Sequence, residues 1–205
     1  MYSHLPYFVF GFHGCDAATK EAVLRGEAEL APSTNDYDWL GSGIYFWEQN
    51  AQRALEFAEL SCANPGVYTK RPIVKPAVIG AVIDLGNCMN LMDSLHIHAL
   101  KSAYDQLAAA TKAGKRKMPA NRGIGNDRPL RELDRAVIEM LHSLMAQTAG
   151  VRPYDTVRGL FLEGDAAYPG GGFREQTHIQ ICVRNLNCIK GYFEPRTMLK
   201  APYLV

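Results

Sequence analysis

Residues 38–57 constrain the fold more than any other stretch of this chain. Gly41 and Gly43 flank Ser42, so the backbone there is free to take left-handed angles and to come close to a ligand. Ile44, Tyr45 and Phe46 then form a short aromatic strand. Trp47, Glu48, Gln49 and Asn50 turn the chain into a helix, in which Ala54, Phe57, Ala58 and Cys62 recur at spacings of three and four. A strand that ends in aromatics and bends straight into a helix builds a flat pocket wall. The same pattern also fits an ordinary strand–turn–helix with core aromatics.

At 205 residues the chain suits one domain carrying an inserted helical segment over about residues 91–150. Twenty-two basic residues stand against 21 acidic ones, so no global field favours nucleic acid or a membrane. No apolar run approaches the roughly 20 residues of a membrane helix, and the first residues lack the pattern of a secretory signal. Five cysteines (15, 62, 88, 182 and 188) without a C-x-x-C pair indicate neither a disulfide framework nor a zinc site. The expectation is a reduced, cytoplasmic protein with no metal.

After a short leader, Tyr7–Phe12 reads as a strand from its aromatic and β-branched content. A helix runs from about Ala17 to Arg25, capped by Asp16 and stopped by Gly26. Residues 30–40 are rich in turn formers and read as a loop over the pocket. The helix after the aromatic strand runs to about Cys62, where Asn64, Pro65 and Gly66 break the chain. Pro76–Leu85 is a near-continuous apolar run, as in a strand covered on both faces. Leu91 to about Thr111 reads as a helix with Leu95, Ala99, Tyr104, Leu107 and Ala108 inward. Gly114–Pro129, with Lys115, Arg116, Lys117, Arg122 and Arg128, reads as an exposed basic loop. Pro129 to about Gln147 is an amphipathic helix, and Val157–Leu162, Thr177–Arg184 and Cys188–Phe193 read as strands. Strands with intervening helices, without strict alternation, give an α+β class.

An aromatic strand ending in His13-Gly14-Cys15, followed about thirty residues later by Gly41-Ser42-Gly43-Ile44-Tyr45-Phe46, resembles the ADP-ribosyltransferase superfamily. The likeness is to the branch of poly(ADP-ribose) polymerases and diphtheria-type toxins, whose signature is His, Tyr and Glu on three strands. It spans residues 7–184 and implies an ADP-ribosyltransferase-like split β-sheet core with helices around it. His13 matches the His and Tyr45 the Tyr; Glu175, just before the Thr177–Arg184 run, is the candidate for the Glu. Gln176 and His178 compete for that place, because a strand start is often irregular.

The resemblance implies NAD as co-substrate and transfer of ADP-ribose to a macromolecular acceptor, a protein or a nucleic acid. Cleavage of the nicotinamide–ribose bond passes through an oxocarbenium-like transition state, as in glycoside cleavage. Tyr45 offers a ring to stack on nicotinamide, and Phe57 a cover for its other face. Gly14, lacking a side chain, offers its main-chain groups to the carboxamide, and His13 a hydrogen bond to a ribose hydroxyl. Glu175 would supply the carboxylate. Where the family has a serine on the helix after the Tyr, this chain has a residue near Arg53, a departure that bears on carboxamide recognition. Arginine-modifying relatives carry Glu or Gln two residues before the catalytic Glu; Phe173 stands there, against arginine-specific transfer.

The biological role implied is that of a small bacterial toxin or defence effector, with an antitoxin as a further partner. NAD hydrolysis at the same pocket, a non-catalytic NAD- or ADP-ribose-binding module, and RNA 2′-phosphotransfer are the competing readings. The glycines 170–172, with Tyr168 and Phe173, make a loop that suits an acceptor and suits a plain connection equally. Cys15 lacks an evident activating base, and neither phosphate-binding glycine motif is present.

Overall fold

The computed structural model describes residues 8–123 and 130–196. The leader, Tyr7, Arg128 and Pro129 lie outside the described residues. In chain order the elements are β1 (Phe8–Asp16), α1 (Ala17–Leu24), β2 (Ile44–Glu48), α2 (Ala51–Ala63), β3 (Pro76–Asp84) and β4 (Cys88–Asn90). Then come α3 (Ser94–Ala113), α4 (Glu132–Gln147), β5 (Thr156–Phe161), β6 (His178–Val183) and β7 (Ile189–Phe193). A single 3-10 turn, Leu186–Cys188, precedes β7.

Among the described residues the strands form one mixed, seven-stranded sheet in the order β4-β5-β6-β2-β1-β3-β7. β4 runs parallel to β5, and every other neighbouring pair is antiparallel. With four helices packed about it, the chain is α+β.

Side chains alternate across the sheet, and the register puts a core on each face. On one face Phe46, Ile44, Ile79, Ile83, Ile181 and Val183 pack with Val23 of α1 and Leu30. On the other, Met89, Val157 and Cys182 pack with Leu40 and with Ile138 of α4, and Tyr45 lies against them. α4 therefore builds part of the main core. α2 covers this second face too: the Phe57 ring meets that of Trp47 at 5.0 Å.

Asp16 joins three elements. One carboxylate oxygen accepts the Ala18 N–H at the start of α1, and the other accepts the N–H groups of Val74 and Lys75 just before β3. These bonds hold the Asp16 carboxyl below its usual range, since each favours the charged form. Gly26 follows the helix end at φ 71°, a left-handed angle that suits glycine.

The structure corrects several boundaries. β2 does not end at Phe46: Trp47 and Glu48 continue it, and the turn comes at Gln49, with φ 50°. α3 begins at Ser94, where Asp93 caps it by accepting the Leu95 N–H. Leu95 and Tyr104 are exposed, and the buried positions of α3 are Ala103 and Thr111. Small residues there let the helix pack closely, and Leu100 adds a half-buried side chain to the second core. β6 starts at His178, and Thr177 lies between the turn at Glu175 and Gln176 and the strand. β4 is an additional strand of three residues.

Candidate active site

The site begins where β1 and β2 part. Their ladder pairs Gly11 with Glu48 and Phe12 with Trp47, and ends there, while β1 stays paired with β3 as far as Asp16. Across the ladder the Gln49 N–H donates to the Phe10 carbonyl at 2.9 Å. Main-chain groups along a strand point alternately to its two neighbours. Those of Phe10, Phe12 and Gly14 therefore face β2, and those of His13 face β3. A continued ladder would set Gly14 opposite Tyr45. Instead, the Tyr45 carbonyl accepts a hydrogen bond from His13 Nδ1–H at 2.8 Å. The amide and carbonyl of Gly14 therefore face the β2 side beyond the end of the ladder.

This bond fixes the chemistry of His13. Half-buried desolvation lowers its pKa, against the opposing pull of the Tyr45 carbonyl, so the ring is neutral near pH 7. With the proton on Nδ1, Nε2 is an acceptor. The ring lies 5.8 Å from Phe46, on the face of the first core.

Gly14 is fixed by packing. A Cβ there would lie 2.1 Å from the Ala54 carbonyl, so α2 presses directly on β1 at this residue. At Gly43 a Cβ would lie 2.5 Å from the Val183 carbonyl and 2.6 Å from Cys182 Sγ. The space left by the absent side chain is filled by β6.

Tyr45 points to the opposite face from His13. Its hydroxyl donates to the Gly41 carbonyl at 2.8 Å and accepts the Leu40 N–H at 3.0 Å. Desolvation raises its pKa well above the ordinary value. Gly41 has φ 85°, and the turn around it is clamped from α4. Glu139 accepts the Ser42 N–H and pairs with Arg184 through two bonds of 2.9 and 3.0 Å, while Arg184 also donates to the Ser42 carbonyl. Burial opposes ionisation of Glu139, but these donors outweigh it and hold the carboxyl at about 2.

Glu175 stands in a turn before β6, exposed, with its N–H donating to the Asp165 carbonyl. Gln176 is exposed beside it. His178 is buried, its ring packed between those of Trp47 and Phe161, and its Nδ1–H donates to the Gln176 carbonyl at 2.6 Å. Burial drives its pKa down to about 4. A neutral core histidine of this kind carries no charge to a reaction.

No family model matches the chain, and no curated protein or solved structure matches it.

Two long-range ion-pair sets gave no sequence signal. Arg53 on α2 pairs with Glu56 at 2.7 Å and with Glu163, just past β5, at 3.0 Å. Arg158 grips Glu48 through two bonds across the sheet, at 2.5 and 2.8 Å. Each links positions 110 residues apart, and such pairs leave no local pattern. Trp47, which faces Phe57, was legible only as the start of a turn. Cys15 is buried and its thiol is pushed up to about 11 by burial, which removes it as a ready nucleophile. Among the described residues no group of three His, Cys, Asp or Glu is placed to hold a metal, and no helix is long and apolar enough to cross a membrane.

Proposed function

We propose that this protein is an NAD-dependent ADP-ribosyltransferase whose nicotinamide end docks at the parting of β1 and β2. One observation carries the reading: His13 Nδ1–H takes the Tyr45 carbonyl, and the ladder partner of Gly14 is thereby removed. On this reading three groups on adjacent residues are available to the ligand. The Gly14 amide and carbonyl suit the acceptor and donor of a carboxamide, and His13 Nε2 suits a hydroxyl donor such as ribose offers.

NAD supplies the reaction with a nicotinamide–ribose bond whose cleavage builds positive charge on the ribose. The chain's own part is to hold and orient. Gly14 and His13 fix the nicotinamide and ribose ends, α2 closes over Gly14 at Ala54, and Tyr45 braces the turn of Gly41–Gly43. Glu175 is the carboxylate on this reading, and its exposure leaves it reachable by a large acceptor, a protein or a nucleic acid. A toxin or defence effector, restrained by an antitoxin, is the biological role that accompanies it.

The deciding experiment is incubation with adenylate-labelled NAD, with and without cell lysate. Label on macromolecules is the expected result. Free labelled ADP-ribose without lysate makes water the acceptor at the same pocket. Binding without turnover makes the protein an NAD-binding module, and absence of binding overturns the reading.

A further inference from the structure

We infer that Arg53 is a positioning residue, which docks the β5–β6 connection, and Glu175 with it, onto the helix that follows Tyr45. The inference rests on the transferase reading for its functional consequence, and on contacts alone for the docking.

The connection, residues 162–177, is tied into one unit by bonds between its two limbs. Gln176 N–H donates to the Glu163 carbonyl at 3.1 Å, Glu175 N–H to the Asp165 carbonyl at 3.0 Å, and Ala167 N–H to the Phe173 carbonyl at 2.9 Å. The Arg174 side chain adds a bond to the Gly164 carbonyl at 2.7 Å. A displacement of Glu163 is therefore a displacement of Glu175. At the far end of the unit Phe173 is 73% exposed, so the tip has no core of its own to anchor it.

Arg53 meets this unit at its base. Its guanidinium spans Glu56 on its own helix and Glu163 on the connection, and the side chain is only 15% exposed. A planar fork holding two carboxylates fixes direction as well as distance. The helix that carries it is itself fixed: Asn50 caps it through the Arg53 N–H, and Ala54 abuts Gly14. The neutral ring of His178 lies 4.0 Å from the Glu163 carboxylate and contributes no competing charge. Arg53 thus links the segment bearing Glu175 to the segment bearing Gly14 and Tyr45. Misplacing a reacting group by about 1 Å costs on the order of 10²-fold in rate, so a link of this kind acts on turnover.

The test uses Arg53→Met, Arg53→Lys, Glu163→Gln and the double variant Arg53→Met/Glu163→Gln. Amide hydrogen exchange reads the docking directly. Arg53→Met should speed exchange at Glu175, Gln176 and Ala167 by about tenfold or more, while the amides of β1 and β6 hold their protection. In NAD turnover, kcat should fall by at least about tenfold with KM for NAD changed less than about threefold. Glu163→Gln should behave alike, and the double variant should be no worse than the worse single. Arg53→Lys, which keeps the charge but not the fork, should fall between. Unchanged exchange in the connection in both single variants overturns the inference, as does a KM effect that equals the kcat effect. If the wild-type protein does not turn over NAD, the transferase reading and the functional role fall together. The exchange result then decides the docking alone.

Discussion

His13 Nδ1–H donates to the Tyr45 main-chain oxygen at 2.8 Å, at the point where β1 and β2 separate. A side chain here takes the place of a ladder bond, and the ring is locked as an acceptor at Nε2. Burial lowers its pKa below the ordinary histidine value, so the ring is neutral near pH 7. NAD affinity should therefore stay flat from pH 8 down to about 6.5, the ordinary histidine value, and fall only below it. Titration of NAD binding by calorimetry checks this. A midpoint at or above pH 7 would contradict it.

Tyr45→Phe tests the hydroxyl. The ring is kept, but the Leu40 amide loses its partner and the Gly41 carbonyl keeps only the Cys182 thiol at 3.5 Å. An unsatisfied buried polar group costs about 1–3 kcal/mol, so stability should drop by that amount in urea unfolding. NAD affinity of the folded variant should stay close to that of wild type if the ring is what contacts nicotinamide. Loss of affinity without loss of stability would assign the hydroxyl a direct role in binding.

The sequence carried the fold where the signal was local. β1 and β3 are long aromatic or β-branched runs, and Asp16 and Gly26 are legible caps because their chemistry acts within a turn. β4 escaped notice because three residues show no alternation, and its pairing partner β5 lies some 68 residues on. Of the expected inward residues of α3, Ala99, Leu107 and Ala108 are half-buried, but Leu95 and Tyr104 are exposed and Ala103 is buried, because the face that packs is set by the neighbouring helix. In the site, His13, Gly14 and Tyr45 are named by the motifs that carry the family resemblance. Their hydrogen bonds could not, nor could Arg53–Glu163 or Glu139–Arg184, since partners distant in sequence meet only through the sheet order.

Gly14→Ala probes the close approach of α2. The added Cβ would fall 2.1 Å from the Ala54 carbonyl, and that atom is backbone, so relief requires the helix to shift. Overpacking of this kind costs roughly 1–3 kcal/mol or more. The variant should lose that much stability and should bind NAD more weakly, because the shift opens the gap beside β1. Stability and NAD affinity both within error of wild type would show that α2 is not seated there.

Acid should destabilise the protein in two windows. His178 has a folded pKa of about 4 against an ordinary 6.5, so between those values the unfolded chain binds the extra proton. Its contribution is complete above about pH 6.5 and is lost on the way down to about 4, a total near 3 kcal/mol. His13 and His142 are lowered too and act in the same direction. Glu139, held at about 2, contributes in full above the ordinary 4.5 and loses its share as pH falls from there to 2. Urea midpoints at pH 7, 5.5 and 4 should decline, and His178→Phe should flatten the upper window. An unchanged slope in that variant would remove His178 from the account.

Glu175→Gln is the sharpest test of the chemistry. Glu175 is exposed in a turn, so removing its charge should leave stability within about 0.5 kcal/mol of wild type, as surface changes usually do. That separates catalysis from folding in a way no variant of His13, Gly14 or Tyr45 can. A carboxylate beside developing positive charge acts mainly in the transition state, so its loss lowers turnover more than affinity. By analogy with deletion of a single oxyanion donor, the cost is on the order of 10²–10³ in rate. Glu175→Gln should bind NAD within a few-fold of wild type and transfer ADP-ribose at least about a hundredfold more slowly. Gln176→Ala, its neighbour on the same exposed turn, should stay near wild type and serves as the control. Near-full turnover in Glu175→Gln, with loss in a folded Gln176→Ala, would move the third motif residue one position along the chain.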